Sequence, residues 1–203
     1  GTATGGFLAG SLLGIDTTSA PGGLFSYGAV IGNPGGNARG LAKLGAGALV
    51  LSDANTYTGP THLNAGALSV GTLALGGSAS GIGASASNAV NLVFNGGALR
   101  YTGPSVTTDR LFTFGAGNTA IFDVTQTNAT LTFAQIRNCV GRNDNSVIVM
   151  NGPGTLAVGH DGIINGGFNG YIGNIAAFEI NEGRYVTVAN DMPQLNLMRK
   201  AAQ

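Results

Sequence analysis

The sequence predicts an all-β protein, a right-handed parallel β-helix (β-solenoid) in which successive coils stack on one another. Three observations lead to this prediction: short runs of alternating apolar residues, a shortage of helix-forming polar residues, and an internal repeat. Glycine supplies 36 of the 203 residues, whereas Glu and Lys each occur only twice. Glycine weakens a helix by about 1 kcal/mol relative to alanine, and Glu and Lys usually cover exposed helix faces. We therefore expect strands and turns throughout.

The alternating runs define the expected strands. Each run spans three to five residues with apolar side chains at every second position, and Gly, Asn, Asp or Thr bounds it. This period places the apolar side chains on one face of a strand. The runs are Leu49-x-Leu51, Leu68-x-Val70, Leu73-x-Leu75, Leu92-x-Phe94, Leu99-x-Tyr101, Phe112-x-Phe114, Leu131-x-Phe133, Leu156-x-Val158, Phe178-x-Ile180 and Val186-x-Val188.

An internal repeat selects a solenoid from among the all-β folds. Residues 15–18 (Ile-Asp-Thr-Thr) resemble residues 122–125 (Phe-Asp-Val-Thr) at an offset of 107, and the same offset places Leu49 on Leu156. The offset grows further along the chain, as expected when turns gain residues outside a stacked core. We therefore expect Leu49 and Leu156 to point into one interior column.

The repeat also predicts the domain organisation. Residues 1–189 form one β-solenoid whose two repeat copies lie at about 10–71 and 117–188, and residues 190–203 form a cap or connecting segment, for which a short helix is one form. Coils of roughly 21 residues give nine or ten coils and a rod on the order of 45 Å long. A β-sandwich, including a lectin-like one that binds sugars through Asn and Tyr, is the alternative fold.

Composition limits the classes of function. Nine basic and nine acidic residues give a net charge of zero, which argues against nucleic acid as a partner. No apolar stretch reaches the ~20 residues of a membrane helix, so we expect no membrane insertion by this segment. The apolar content of 43 % argues against disorder. Cys139 is the only cysteine, and we interpret it as a small buried hydrophobe.

Residues 40–71, GLAKLGAGALVLSDANTYTGPTHLNAGALSVG, carry a recognisable pattern. A Leu-Lys start precedes a Gly-x-Gly-x-Leu-x-Leu strand, an Asn-x-Tyr-x-Gly turn and an Asn-x-Gly-x-Leu-x-Val strand. This stretch resembles the autotransporter-associated β-strand repeat of type V secreted passengers. Residues 147–188 resemble it in part, with Met150 in place of the lysine.

The resemblance implies a parallel β-helix in the surface-exposed passenger of a bacterial type V secreted protein. It therefore implies an extracellular or cell-surface location, associated with the outer membrane. The functions implied are stalk, adhesin scaffold or self-assembling extracellular filament. As partners we expect host or matrix surface ligands, and also a second copy bound end to end, because an open coil edge presents unpaired backbone groups.

A carbohydrate-active β-helix enzyme, a polysaccharide lyase or hydrolase, is the alternative function. Such an enzyme needs at least two carboxylates within about 10 Å of each other in one groove. The chain offers no such constellation by sequence, and we predict a protein that is not an enzyme. The carboxylates whose placement would test this are Asp109, Asp123, Asp144, Asp161 and Glu179.

The remaining polar candidates have simpler interpretations. Asp16 and Asp123 occupy equivalent repeat positions and are expected to brace the same turn. Asp109 and Arg110 are expected to form an exposed ion pair of little energy. We predict no catalytic residue, no cofactor-binding residue and no metal site. The candidates set aside are the adjacent His160-Asp161 pair, His62 in a turn, and the oxygen-rich Asn143-Asp144-Asn145, which lacks the spaced acidic ligands of a calcium loop.

Overall fold

A computed structural model describes residues 6–52, 54–114, 119–134, 146–158, 175–187 and 197–199. Within these residues the regular structure is β-strand, with three short 3-10 turns at Pro21–Gly23, Pro34–Gly36 and Ala89–Asn91. The strands are β1 (Ser11–Asp16), β2 (Leu24–Tyr27), β3 (Arg39–Leu44), β4 (Ala48–Leu51), β5 (Thr61–Leu63), β6 (Ala67–Val70), β7 (Leu92–Phe94), β8 (Ala98–Tyr101), β9 (Val106–Thr108), β10 (Thr113–Phe114), β11 (Thr119–Val124), β12 (Thr130–Phe133), β13 (Ser146–Asn151), β14 (Thr155–Val158), β15 (Ile175–Ile180), β16 (Arg184–Thr187) and β17 (Leu197–Arg199).

The strands form three parallel sheets that run along the stack of coils. The first sheet has the order β1-β3-β5-β7-β10, the second β2-β4-β6-β8-β11-β13-β15-β17, and the third β9-β12-β14-β16. Neighbours in a sheet come from successive coils, and every pair of these strands is parallel. This arrangement confirms the predicted parallel β-helix and differs from the antiparallel pairing of a β-sandwich.

The core consists of side-chain columns that follow the register of the sheets. In the second sheet Leu49 pairs with Leu68, and Leu68 pairs with Leu99. All three side chains are fully buried. Further along, the column continues through Phe122 and Met150, which are also buried. Each coil therefore covers the apolar side chains of the coil before it, which is where burial stabilises the fold.

Over the described residues the coils are fewer than the sequence predicts, and their lengths are unequal. The second sheet holds eight strands in the described part of the chain, against the nine or ten coils expected. From Leu49 to Leu68 the step is 19 residues, but from Leu68 to Leu99 it is 31. The longer coil carries an excursion between β6 and β7, which the uniform coil of about 21 residues did not foresee.

The prediction that Leu49 and Leu156 point into one interior column is wrong. Leu49 lies in β4 of the second sheet, whereas Leu156 lies in β14 of the third sheet and pairs with Leu131. The column of Leu49 instead runs through Leu68, Leu99 and Phe122 to Met150. Leu49 and Leu156 are both buried in the same core, so the fold is unaffected, but the gapless offset of 107 does not relate equivalent rungs.

One further strand expectation differs from the structure, and three residues of the expected C-terminal segment are described. The run Leu73-x-Leu75 is not a strand, since Leu73 is buried while Leu75 is 54 % exposed. In the expected C-terminal cap, the described residues Leu197–Arg199 form β17 and pair in parallel with β15, so they are not helical. A membrane-crossing helix, long and apolar enough to span a bilayer, is not found among the described residues.

Candidate functional site

Asp16 braces a turn, as the sequence predicts. It ends β1, and its Oδ1 accepts hydrogen bonds from the backbone N–H of Thr18 (2.8 Å) and from the Thr18 hydroxyl (2.6 Å). These bonds favour the charged carboxylate and hold the pKa of Asp16 below its ordinary value. The carboxylate therefore stabilises the corner that follows the first strand.

Asp123 does not brace the same turn, which corrects the second half of that prediction. It lies within β11 of the second sheet, and its Oδ2 accepts a hydrogen bond from Arg100 Nε at 2.6 Å. Arg100 occupies the paired position on β8. The two side chains form a cross-strand ion pair, partly exposed to water, on the outer face of the sheet.

The expected exposed pair of Asp109 and Arg110 is wrong. Asp109 Oδ1 accepts the backbone N–H of Gly76 at 2.7 Å, while Arg110 is only 2 % exposed and points inward. Burial lowers the pKa of the Arg110 guanidinium. The two neighbours thus face different surroundings, and both hold the excursion between β6 and β7.

His62 lies in a strand and not in a turn. It is the middle residue of β5, between Ala42 and Val93 on the outer face of the first sheet. Partial burial lowers its pKa. No group of three or more potential metal-ligating side chains is found among the described residues.

Several predicted candidates lie outside the described residues: Cys139, Asn143, Asp144, Asn145, His160 and Asp161. Glu179 belongs to β15. Of the carboxylates named for the enzyme alternative, Asp109 and Asp123 are described, and each is engaged with a backbone amide or an arginine, as given above. Neither arrangement resembles an acid–base pair facing a substrate groove.

The motif of residues 40–71 builds two corners of the coil. Lys43 is fully buried, and its Nζ donates to the carbonyl oxygens of Leu44 (2.8 Å), Gly45 (2.8 Å) and Ala65 (3.0 Å). Gly59 donates its N–H to the Arg39 carbonyl at 2.9 Å. The lysine closes the corner between the first and second sheets and joins two coils, so its role in the motif is structural.

A cluster of buried polar side chains surrounds the excursion between β6 and β7. Sequence reasoning missed this cluster, although the 31-residue step from Leu68 to Leu99 is a signal that something must anchor the extra residues. We call the cluster the polar clasp. It contains six of the nine buried polar or charged residues of the described chain: Asn55, Thr61, Ser80, Ser85, Thr108 and Arg110.

The first coil of the described residues carries half-exposed apolar side chains. Leu24, Phe25 and Tyr27 of β2 are 49 %, 42 % and 38 % exposed, whereas Leu49, which pairs with Phe25 one coil later, is fully buried. In the described part of the chain, β1 and β2 each pair with a strand on one side only. The surface therefore has both the apolar side chains and the backbone edge that another coil would cover.

Comparisons with known proteins agree with this geometry. The passenger-associated-transport-repeat family matches residues 41–70. The Adhesin BmaC autotransporter of Brucella suis biovar 1 (strain 1330) is 40 % identical over 169 residues. That alignment covers 83 % of this chain and 5 % of the adhesin, so the chain spans a small part of that relative. No solved structure matches.

The matched repeat contains strands β4 to β6, most of β3, and the two corners described above, where Lys43 and Gly59 make their hydrogen bonds. The alignment with the adhesin extends the similarity over most of the stack of coils. The location of such a segment is extracellular or at the cell surface. The chain is therefore a repeat segment of the autotransporter passenger family, folded as a parallel β-helix.

Proposed function

We propose that this segment is a structural part of a surface-displayed adhesin, a stalk or scaffold that holds the passenger extended outside the cell. The observation that supports this most directly is the uninterrupted stacking of parallel strands in the second sheet. Each coil contacts its neighbours through buried apolar columns, which makes the stack a stiff rod.

The polar groups support a role that is not enzymatic. Asp16, Lys43 and Asp109 bind backbone atoms, and Asp123 binds Arg100. A catalytic acid or base must be free to exchange a proton with a substrate. Asp16 and Lys43 serve coil corners, Asp109 holds the excursion and Asp123 belongs to a cross-strand pair. The similarity to an adhesin passenger points the same way.

The scaffold role is tested by breaking the stack within the complete passenger. Leu68→Asp places a charge in a fully buried column, whereas Val90→Asp changes a residue that is 64 % exposed. We expect L68D to reduce adhesion of cells displaying the passenger, because parts beyond the segment lose their support, and V90D to leave adhesion unchanged. Protease sensitivity of the displayed passenger checks that L68D disrupts the stack.

The isolated segment provides the opposing test. Beads coated with it are expected to bind host cells or matrix proteins no better than beads coated with an unrelated protein. Strong binding by these beads would show that the segment itself carries a ligand site, and would overturn the scaffold role in favour of direct adhesion.

We also propose that the open first coil binds a second copy end to end, as a filament subunit would. The half-exposed side chain of Phe25 supports this contact, as do the edges of β1 and β2 with which no other strand of the described residues pairs. Phe25→Lys places a charge on that surface, and Leu75→Lys is a matched control on the excursion, at a residue of similar exposure.

Sedimentation velocity over a range of protein concentrations measures the association. We expect the unmodified segment and L75K to form larger species as concentration rises, and F25K to remain monomeric. A monomer at every concentration, or equal loss of association in both variants, would rule out the end-to-end contact while leaving the scaffold role intact.

A further inference from the structure

We propose that Arg110 is a latch for a strap, defined as residues 72–87 of the excursion, and that the strap opens as a unit while the β-helix stays folded. The strap leaves the second sheet after β6 and returns to the first sheet at β7. It contributes no strand to any of the three sheets in the described chain. Its attachment must therefore come from other contacts.

One attachment of the strap is the guanidinium of Arg110, which follows it in the chain. Nε donates to the Ala74 carbonyl at 2.9 Å, and Nη1 donates to the Ser85 carbonyl at 3.0 Å. Nη2 donates to the carbonyls of Leu75, Ser78 and Gly83 at 3.3, 3.0 and 3.0 Å. One side chain thus gathers both halves of the strap around a single planar cation.

The hydrogen-bond acceptors of this guanidinium are carbonyl oxygens and the Ser85 hydroxyl, and no carboxylate of the described residues accepts a hydrogen bond from it. Within the described residues the salt bridge is that of Arg100 with Asp123, and Asp109 is turned toward the Gly76 amide. The Asp109 carboxylate favours the charged form of Arg110 through space, but the buried cation still depends on its full set of acceptors, because each unmet hydrogen bond costs desolvation energy. The strap carbonyls and Arg110 therefore stabilise one another.

The other attachment of the strap is the Asn-x-Tyr-x-Gly turn of the preceding coil, residues 55–59. Asn55 and Ser80 exchange two backbone hydrogen bonds in an antiparallel bridge, at 2.8 and 3.2 Å. The Ala84 N–H donates to the Tyr57 carbonyl at 2.7 Å, and the Thr61 hydroxyl donates to the Ile82 carbonyl at 3.2 Å. The strap is thereby held between the coil before it and Arg110, which follows it in the chain after three strands, β7, β8 and β9.

The strap is separable because polar bonds hold more of it than apolar contacts do. Leu73 and Ile82 are its residues in the hydrophobic core, while Leu75 is exposed. Segments with few buried apolar contacts open at lower free energy than sheet cores. Removing the latch should therefore release the strap without separating the coils.

Hydrogen exchange tests the latch at individual amides. In Arg110→Ala we expect the amides of Gly77, Gly81 and Ala84 to exchange at least about tenfold faster, the factor that corresponds to one lost charge-assisted hydrogen bond. The Thr17 and Asn181 amides, hydrogen-bonded in distant coils, should be unchanged. Arg100→Ala removes an arginine from an exposed pair and serves as the control that leaves all of these rates unchanged.

Chemical rescue gives an independent readout. The carbonyl oxygens around Arg110 form a socket for a planar cation, so guanidinium chloride at a low, non-denaturing concentration should restore slow exchange in R110A. Sodium chloride at the same concentration should not. Rescue by both salts, or acceleration of every coil alike, would overturn the latch.

If R110A does not fold, the unmodified segment decides the matter. Its amides at Gly77, Gly81 and Ala84 should share one opening free energy, lower than that of the Thr17 and Asn181 amides, when exchange is followed in low denaturant. Equal opening free energies for strap and coils would mean that no separate unit exists, and would overturn the proposal.

Discussion

Lys43 lies inside the β-helix, in the column between Ile15 and Leu63, where an aliphatic residue would ordinarily be found. Its three hydrogen bonds to carbonyl oxygens use every donor of the ammonium group. Burial lowers the pKa of Lys43, and the nearby Asp16 opposes that effect. Arg110 likewise donates to backbone carbonyl oxygens, and it has more acceptors than Lys43. Both cations lie where the chain turns and where these carbonyl groups would otherwise lack donors.

Gly66 is the corner residue most restricted by its surroundings. Its φ is +61°, and a Cβ there would overlap the carbonyl oxygens of Gly45, Ala46 and Gly47. We expect Gly66→Ala to lower the free energy of unfolding by about 3 kcal/mol or more, from left-handed strain and the clash together. Urea denaturation followed by circular dichroism measures the loss.

Substitution of Gly22 separates the effect of left-handed backbone strain from the effect of the clash. Its φ is +65°, but a Cβ there would meet no atom within 4 Å. Gly22→Ala should therefore cost only about 1 kcal/mol, from backbone strain alone. Equal losses in the two variants would show that the close approach at Gly66 is unimportant.

His62 makes the stability depend on pH. Because burial lowers its pKa in the folded state, the unfolded chain binds the proton more readily as the pH falls below about 6.5. Stability should therefore decrease on acidification from about pH 7.5 to 5.5, a range above the pKa of Asp16, which is lowered from an already acidic ordinary value.

His62→Gln should remove part of this decrease, whereas His160→Gln is the matched change at the other histidine. Urea midpoints at the two pH values provide the measurement. A pH dependence in H62Q equal to that of the unmodified chain would contradict the assignment to His62.

Among the elements, the central coils are joined by a cluster of phenylalanines whose rings meet edge to face. Phe112 lies 5.6 Å from Phe94, 5.3 Å from Phe122 and 5.4 Å from Phe133 between ring centroids, with the rings near perpendicular. Such edge-to-face pairs add about 0.5–1.5 kcal/mol each to the effect of burial. This cluster links side chains from the first, second and third sheets.

We expect Phe112→Ala to lower the free energy of unfolding by about 3–5 kcal/mol, because it leaves a cavity among these rings. Phe25→Ala is the control, since Phe25 is 42 % exposed and should cost about 1 kcal/mol or less. Thermal and urea denaturation measure both. A small loss in F112A would mean that the neighbouring rings close the cavity.

The alternation of apolar residues predicted the strands of the stacked coils well, but it failed for the excursion between β6 and β7. Leu49-x-Leu51 and Leu99-x-Tyr101 alternate because every second side chain of a strand points into the core, and the structure has both as strands. Leu73-x-Leu75 alternates too, but Arg110 draws the carbonyls of this segment inward and out of any sheet. Nothing in a single sequence marks Arg110 as buried, since its partners are backbone atoms contributed by residues up to 36 positions away.

For the molecule as a whole, apolar stacking carries the stability and charge contributes little. The net charge is zero, and the described ion pair between Arg100 and Asp123 is partly exposed. Such a pair contributes about 0–1 kcal/mol and is screened by salt. The rod should therefore tolerate changes in ionic strength.

We expect the free energy of unfolding to change by less than about 1 kcal/mol between 20 mM and 500 mM sodium chloride, concentrations that span roughly a fivefold change in screening length. Urea denaturation at the two salt concentrations measures it. A larger loss at high salt would show that ion pairs beyond the described one support the fold.

The same corner chemistry recurs on different flanks of the rod. Asn95 donates to Asn64 where the first sheet meets the second, and Asn181 donates to Asn151 where the second meets the third. Likewise Gly45 follows β3, whereas Gly152 follows β13. Two stretches that look alike when read as text are thus related in three dimensions by a rotation about the long axis as well as an advance along it. A receptor, antibody or neighbouring molecule that approaches from one direction would meet this motif at one height only.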